Sequence, residues 1–213
     1  MNDQQAQKQI IEIGQKMYQL GMVAANDGNI SCRLPDGTIW ATPTGVSKGS
    51  MTDEMLIKLD IDGNLLQGNL EPSSELKMHL SLYRTSDKIK AVTHAHPAHA
   101  SAFAVANIPL EIPYMPEAVI NLGTVPVVPY ATPGSLELAE GVAEYAQNRR
   151  ALLLANHGAV SWGESLKQAF FRLETLEHYA KIIILSKHLL GQAQPLPAEE
   201  VAVLENIRQK LEN

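Results

Sequence analysis

The chain has 213 residues, of which 45% are hydrophobic and 19% charged, and its net charge at pH 7 is −6. This composition is typical of a globular protein with one sizeable core, and we expect a single domain over residues 1–213. A mildly acidic chain without a basic run argues against nucleic acid as the main partner, and its apolar runs are too short to cross a membrane. One cysteine, Cys32, cannot form an internal disulfide, and no signal peptide is visible, so we expect a cytoplasmic protein.

The first third of the chain predicts one helix followed by hairpins. Apolar residues recur at helical spacing before Gly21, a plausible helix stop. The turn sequence Pro35-Asp36-Gly37 separates two β-rich runs, which is typical of a hairpin. The predicted elements are a helix over 3–20, strands over 30–34, 38–42 and 55–61, and a return strand beginning at 65–66.

Strands and helices interleave in the rest of the chain. The predicted elements are a helix from Ser73 or Ser74 to about 84, a strand over 89–96, a helix opened by Pro97, a strand over 125–130, a helix over 135–147, a strand over 151–155, a helix over 164–190 and a last helix after Pro197. Because the early strands form hairpins, we expect an α/β protein with helices on both faces of a mixed or antiparallel sheet. No glycine-rich dinucleotide or phosphate-loop motif is present, which argues against a parallel nucleotide-binding sheet.

Three of the seven histidines follow buried strands. His94 and His96 are two residues apart at the end of one strand, so both side chains point to the same side and can converge on one metal ion. His157 follows a second apolar strand, and it reaches the same sheet edge if the two strands are neighbours. Imidazole suits zinc, which favours a zinc site on these three residues. The other four histidines lack partners at metal spacing, and we expect them to be structural or surface residues.

Three loops rich in small polar residues accompany the histidines. They are Asn26-Asp27-Gly28-Asn29, Thr42-Pro43-Thr44-Gly45 and Pro72-Ser73-Ser74-Glu75. Each alone is an ordinary turn or helix start, and Glu75 alone is an ordinary first-turn carboxylate. Together their N–H and hydroxyl groups indicate a pocket for a small phosphorylated metabolite.

These three loops, with His94-Ala95-His96 and Asn156-His157-Gly158, form five motifs in order along the chain. In this order and at these separations they resemble the class II aldolase and adducin family, most closely its L-fuculose-phosphate aldolases, over nearly the whole chain. The resemblance implies a three-layer α/β/α fold around a mostly antiparallel sheet. It also implies a homotetramer with active sites at subunit interfaces.

The resemblance further implies roles for individual residues. One zinc ion per subunit is expected on His94, His96 and His157, with Glu75 as the acid/base that also binds zinc when substrate is absent. Tyr114 matches a tyrosine that reaches a neighbouring subunit's site and donates a proton to the aldehyde oxygen. The positions that match the family's phosphate-binding residues are Gly28, Asn29, Thr44, Gly45, Ser73 and Ser74.

The chain is therefore expected to be a metal-dependent aldehyde-lyase. The expected substrate is a ketose 1-phosphate, either L-fuculose 1-phosphate or a related 5-deoxy-ketose phosphate, cleaved to dihydroxyacetone phosphate and an aldehyde through a metal-stabilised enediolate. The tail at 203–210 lacks the tyrosine of fuculose-phosphate aldolases, and Lys210 lies near that position, so the identity of the aldehyde stays open.

Three alternatives remain open at this point. A decarboxylase of a 3-oxo sugar-acid phosphate ranks second, because the resemblance gives such enzymes no Ser-Ser-Glu arrangement. A ribulose-phosphate 4-epimerase has aspartate where this chain has Glu75. A non-catalytic adducin-like module has lost the metal ligands, whereas this chain keeps all three histidines.

Overall fold

An eight-stranded sheet organises residues 1–211, the part of the chain described by this computed structural model. The strands lie in the order β4-β3-β2-β1-β5-β8-β7-β6. Every neighbouring pair is antiparallel except β6 and β7, so the predicted mostly antiparallel sheet is confirmed. The strands are β1 (Asn29–Arg33), β2 (Ile39–Ala41), β3 (Ile57–Leu59), β4 (Leu65–Gln67), β5 (Ala91–Ala95), β6 (Val127–Val128), β7 (Ala151–Leu154) and β8 (Gly158–Gly163).

Helices cover both faces of this sheet. The described residues form α1 (Asp3–Gln19), α2 (Leu76–Thr85), α3 (Ala98–Ala106), α4 (Pro116–Asn121), α5 (Leu136–Tyr145), α6 (Leu166–Ile183) and α7 (Ala198–Leu211). Helices α1, α3 and α6 pack on one face, and α2 and α5 cover the other, so two hydrophobic cores flank the sheet. This is the predicted α/β/α layering. Among the described residues, no helix is long and apolar enough to cross a membrane.

The structure differs from the predicted elements in five places. The strand predicted over 55–61 is shortened, because the Asp60 carboxylate accepts the N–H groups of Asp62 and Asn64 and bends the chain. Helix α2 begins at Leu76, and the Ser73 hydroxyl accepts the N–H of Glu75 at its start. The long C-terminal helix changes to a π-helix over Ile184–Leu189. Strand β8 and the short helix α4 were not predicted.

A buried polar network connects α2 to β1. The Ser31 hydroxyl lies 2.7 Å from Nδ1 of His79 and 2.7 Å from the hydroxyl of Tyr83. All three residues are almost fully buried. Burial lowers the pKa of His79 from 6.5 to about 3, so this histidine is neutral in the folded protein. The network holds α2, whose first turn follows Glu75, in a fixed position on the sheet.

The single cysteine also lies in β1. Cys32 is fully buried in the core, and burial raises the pKa of its thiol to about 12. It therefore acts as a small apolar side chain.

The shifted pKa of His79 predicts a specific pH dependence of stability. The folded-state pKa lies below the unfolded-state value, so the contribution is complete above pH 6.5 and falls as pH drops toward 3. The metal-free protein should lose about 2 kcal/mol more between pH 7 and pH 5 than its His79→Gln variant. Urea unfolding at the two pH values measures this difference. An identical loss in both proteins would contradict a neutral, buried His79.

Candidate metal centre

Three imidazoles meet at one edge of the sheet. His94 is in β5, His96 follows the end of that strand, and His157 lies in the turn between β7 and β8. Strands β5 and β7 are not neighbours, because β8 lies between them. The antiparallel register pairs His94 with Val160, so the β7–β8 turn reaches the same edge as the end of β5.

The spacing of the three rings suits a single metal ion. Their centroids are 5.1 Å (His94 to His96), 4.7 Å (His94 to His157) and 4.9 Å (His96 to His157) apart. One ring nitrogen from each histidine lies within 4.8 Å of the other two. Atoms at this separation can all contact one ion at a metal–nitrogen distance of about 2.0–2.1 Å after small side-chain adjustments.

Hydrogen bonds orient two of the rings toward the common centre. Nδ1 of His94 donates to the Ala159 carbonyl at 2.9 Å, and Nδ1 of His96 donates to the Asp27 carboxylate at 3.3 Å. Both Nε2 atoms are buried and have no hydrogen-bond partner in the described part of the chain. Burial lowers the pKa of His94 to about 4, so its Nε2 lone pair is free at neutral pH. This arrangement is typical of metal-binding histidines.

The Glu75 carboxylate faces the same centre. Its Oε1 lies 3.1 Å from Nε2 of His157, and its Oε2 lies 3.5 Å from Nε2 of His94 and accepts a 2.8 Å hydrogen bond from Asn29. Burial acts to raise the pKa of Glu75, but His94, His157 and Asn29 together hold it well below its usual range. Three imidazole nitrogens and one carboxylate form a donor set that fits zinc or a similar divalent metal.

A cavity of about 240 Å³ opens beside the four side chains. Glu75, His96 and His157 are among its lining residues. Its other walls are the loops that the sequence singles out. All six residues predicted to bind phosphate line it, namely Gly28, Asn29, Thr44, Gly45, Ser73 and Ser74.

Gly28 illustrates how tightly this pocket is built. Its φ is +73°, and a Cβ at this position would lie 2.8 Å from the His94 carbonyl oxygen. Only glycine allows the loop to approach the histidine-bearing strand so closely.

Tyr114 is not part of this pocket. Its N–H donates to the Tyr179 hydroxyl at 3.3 Å, and its half-buried side chain packs against the core beside α6. A role in a neighbouring subunit's site stays a prediction. His99, three residues after His96, interacts instead with the Glu177 carboxylate at 2.7 Å, as expected for a structural histidine.

Two contacts of the site were missed in the sequence. Asp27, known only as part of a turn motif, orients His96, and Lys48 reaches behind the loops. The Asp27–His96 contact joins residues 69 positions apart. The sequence indicates only that Asp27 precedes Gly28 in one of the predicted pocket loops.

Comparison with known proteins gives a family match. The model of the class II aldolase and adducin N-terminal domain matches residues 8–184. The 3-oxo-tetronate 4-phosphate decarboxylase of Escherichia coli K12 is 38% identical over 86% of this chain and 88% of its own length. The L-fuculose phosphate aldolase of Methanococcus maripaludis is 36% identical over 85% of this chain and 97% of its own. A solved L-fuculose 1-phosphate aldolase has a TM-score of 0.89 at 32% identity, covering 98% of this chain and 97% of its own.

The geometry of the three imidazoles predicts the effect of removing one of them. His94→Ala should lose most of the bound divalent metal, because two imidazoles and one carboxylate remain. His99→Ala is the matched control, since this histidine lies outside the cluster and should leave metal content unchanged. Metal analysis of the purified proteins after loading with zinc measures both. Equal metal content in the two variants would contradict the assignment.

Gly158 gives a test of the packing around the site. A Cβ there would lie 2.5 Å from the Ala95 carbonyl oxygen and 2.6 Å from Cδ2 of His96. Gly158→Ala should cost about 1–3 kcal/mol of stability and weaken zinc binding by roughly 10–100-fold. Gly141→Ala, where a Cβ meets only the Val128 side chain at 3.3 Å, is the control. Zinc titration and urea unfolding measure the zinc affinity and the stability of both variants. Equal values in the two variants would contradict this packing.

Proposed function

The chain belongs to the class II aldolase and adducin N-terminal domain family, and we propose that it is a zinc-dependent lyase acting on a small phosphorylated sugar. The observation that carries the proposal is the convergence of His94, His96, His157 and Glu75 beside the loop-lined pocket. The bond broken is a carbon–carbon bond next to a ketone. The homotetramer, the cytoplasmic location and the choice of zinc are parts of this proposal.

Each group of residues in the pocket has a separate role in the proposed reaction. The three histidines would hold a divalent metal, which would supply Lewis-acid stabilisation of the ketone oxygen and of the negative charge that develops there. Glu75 is a carboxylate in the resting site, so it first accepts a proton from the substrate hydroxyl or from water and then delivers it to the carbon released by bond cleavage. Asn29 orients this carboxylate. The loops at Gly28, Gly45 and Ser73 bind the phosphate through N–H and hydroxyl groups.

The first candidate reaction is aldol cleavage of a ketose 1-phosphate. The bond between C3 and C4 breaks, the C4 hydroxyl loses its proton, and C3 gains one, giving dihydroxyacetone phosphate and an aldehyde. The similarity to the L-fuculose phosphate aldolase of Methanococcus maripaludis favours this reaction.

The second candidate is decarboxylation, which the similarity to the E. coli 3-oxo-tetronate 4-phosphate decarboxylase favours. Loss of carbon dioxide from such a substrate, with protonation at C2, leaves the same three-carbon phosphorylated ketone. The phosphate, the ketone and the proton delivered by Glu75 are therefore common to both reactions. The two differ only in the group that leaves.

An assay for released dihydroxyacetone phosphate tests the proposal and separates the two reactions. The zinc-loaded protein should release it from at least one member of a panel of ketose 1-phosphates, including L-fuculose 1-phosphate and a 5-deoxy-ketose phosphate. A 3-oxo-tetronate 4-phosphate is tested in parallel for carbon dioxide. Turnover of this acid alone would establish the second candidate, and no turnover of any substrate would refute the proposal.

The role of Glu75 is testable by substitution. Glu75→Gln should retain zinc on the three histidines but lower turnover by roughly 10²–10⁴-fold, because the amide cannot carry the proton. Glu71→Gln changes a nearby carboxylate outside the pocket lining and is the matched control. The turnover rate and the zinc content of both variants are measured. An unchanged rate in Glu75→Gln would remove Glu75 from the proposed mechanism.

A further inference from the structure

Lys48 is a buried lysine behind the pocket that the chemistry described above does not use. The residue is only 1% exposed. Its ammonium donates to the Asn26 carbonyl at 2.8 Å and to the Val46 carbonyl at 2.7 Å. These carbonyls belong to two loops that are separate in sequence, and both loops line the cavity through Gly28 and Gly45. Lys48 therefore joins the two loops from behind.

Lys48 supplies a positive charge next to a pocket whose charged lining residues include two carboxylates. A phosphate in the pocket lies near the carboxylates of Asp27 and Glu75, and none of the described lining residues is a lysine or arginine. Burial lowers the pKa of Lys48 to about 8, although Asp27 and Glu75 act to raise it, so the side chain is mostly an ammonium at pH 7. Its charge therefore partly offsets the two carboxylates, and it does so from a poorly solvated position.

The backbone of the two loops complements this charge. Gly28 and Gly45 both have positive φ, at +73° and +75°. Within the described part of the chain, their N–H groups donate to no backbone carbonyl. With the Asn26 and Val46 carbonyls held by the ammonium, neighbouring N–H groups stay available to an anion, as in other anion-binding loops.

We propose that Lys48 is the positioning residue of the phosphate subsite, holding both loops in their anion-binding conformation and supplying the positive charge behind them. This inference rests on the proposed function, since it assumes a phosphorylated substrate. Lys48 does not touch the phosphate. It acts through the backbone of the two loops, and it should therefore affect binding of phosphorylated ligands more than the chemical step.

Inorganic phosphate is the direct probe, because it isolates this half of the substrate. Calorimetric titration of the zinc-loaded protein should show that Lys48→Met raises the Kd for inorganic phosphate by about tenfold or more. Zinc content should stay unchanged. With a phosphorylated substrate, KM should rise in the same proportion while kcat changes little, and kcat/KM for the unphosphorylated ketose should not change.

Two further variants separate this role from a structural one. Lys58→Met removes a lysine that contacts Asp3 at 2.6 Å and lies over the Trp40 ring, outside the pocket lining. It should lower stability without affecting phosphate binding. Lys48→Gln keeps a donor for one carbonyl but has no charge, and it replaces Lys48→Met if the latter does not fold. It should also raise the Kd.

The outcomes distinguish this inference from the proposed function. Equal phosphate affinity in the unsubstituted protein and the Lys48 variants, or an equal loss in Lys58→Met, would overturn the inference and leave the lyase proposal intact. Absence of phosphate binding in the unsubstituted protein would also overturn it. Failure of the lyase proposal appears separately, as no release of dihydroxyacetone phosphate from any substrate.

Discussion

The antiparallel pairing of β5 with β8 is the constraint on which the site depends. His94 lies within this ladder, and the turn that carries His157 leads directly into β8. Because main-chain hydrogen bonds fix the register, a shift by one residue would turn His94 to the opposite face of the sheet. The same pairing places the Ala159 carbonyl where it accepts a hydrogen bond from His94. One strand pair thus fixes the positions of two of the three clustered histidines and the orientation of one ring.

Much of this arrangement could be predicted from local patterns. The sequence alone predicted that three histidines cluster. The prediction used the two-residue spacing of His94 and His96 at a strand end and the position of His157 after an apolar strand. The strand that lies between β5 and β7 in the sheet was not predictable. This strand, β8, begins at Gly158, and its sequence between a turn and a helix has no clear strand pattern. Helix α4 has six residues and was missed for a similar reason.

Contacts between distant parts of the chain were harder to predict. Nothing near His96 in the sequence indicates Asp27, and nothing around Lys48 indicates that its ammonium lies behind two loops. Lysine is rarely buried, so composition alone favours a solvent-exposed position on a turn. The cost of burying this charge is offset only by carbonyl oxygens and carboxylates that come together in the folded protein. Sequence patterns therefore brought the three clustered histidines together, whereas the residues that orient and balance them required the structure.

The buried thiol in β1 has a practical consequence for the study of this protein. Cys32 is the only cysteine in the chain, and its high pKa and burial protect it from thiol reagents while the sheet is intact. Alkylation therefore requires the core packed against β1 to open. The same strand begins with Asn29, which holds the Glu75 carboxylate. The labelling rate of one natural thiol thus reports how often the core behind this strand opens in solution, without an introduced probe.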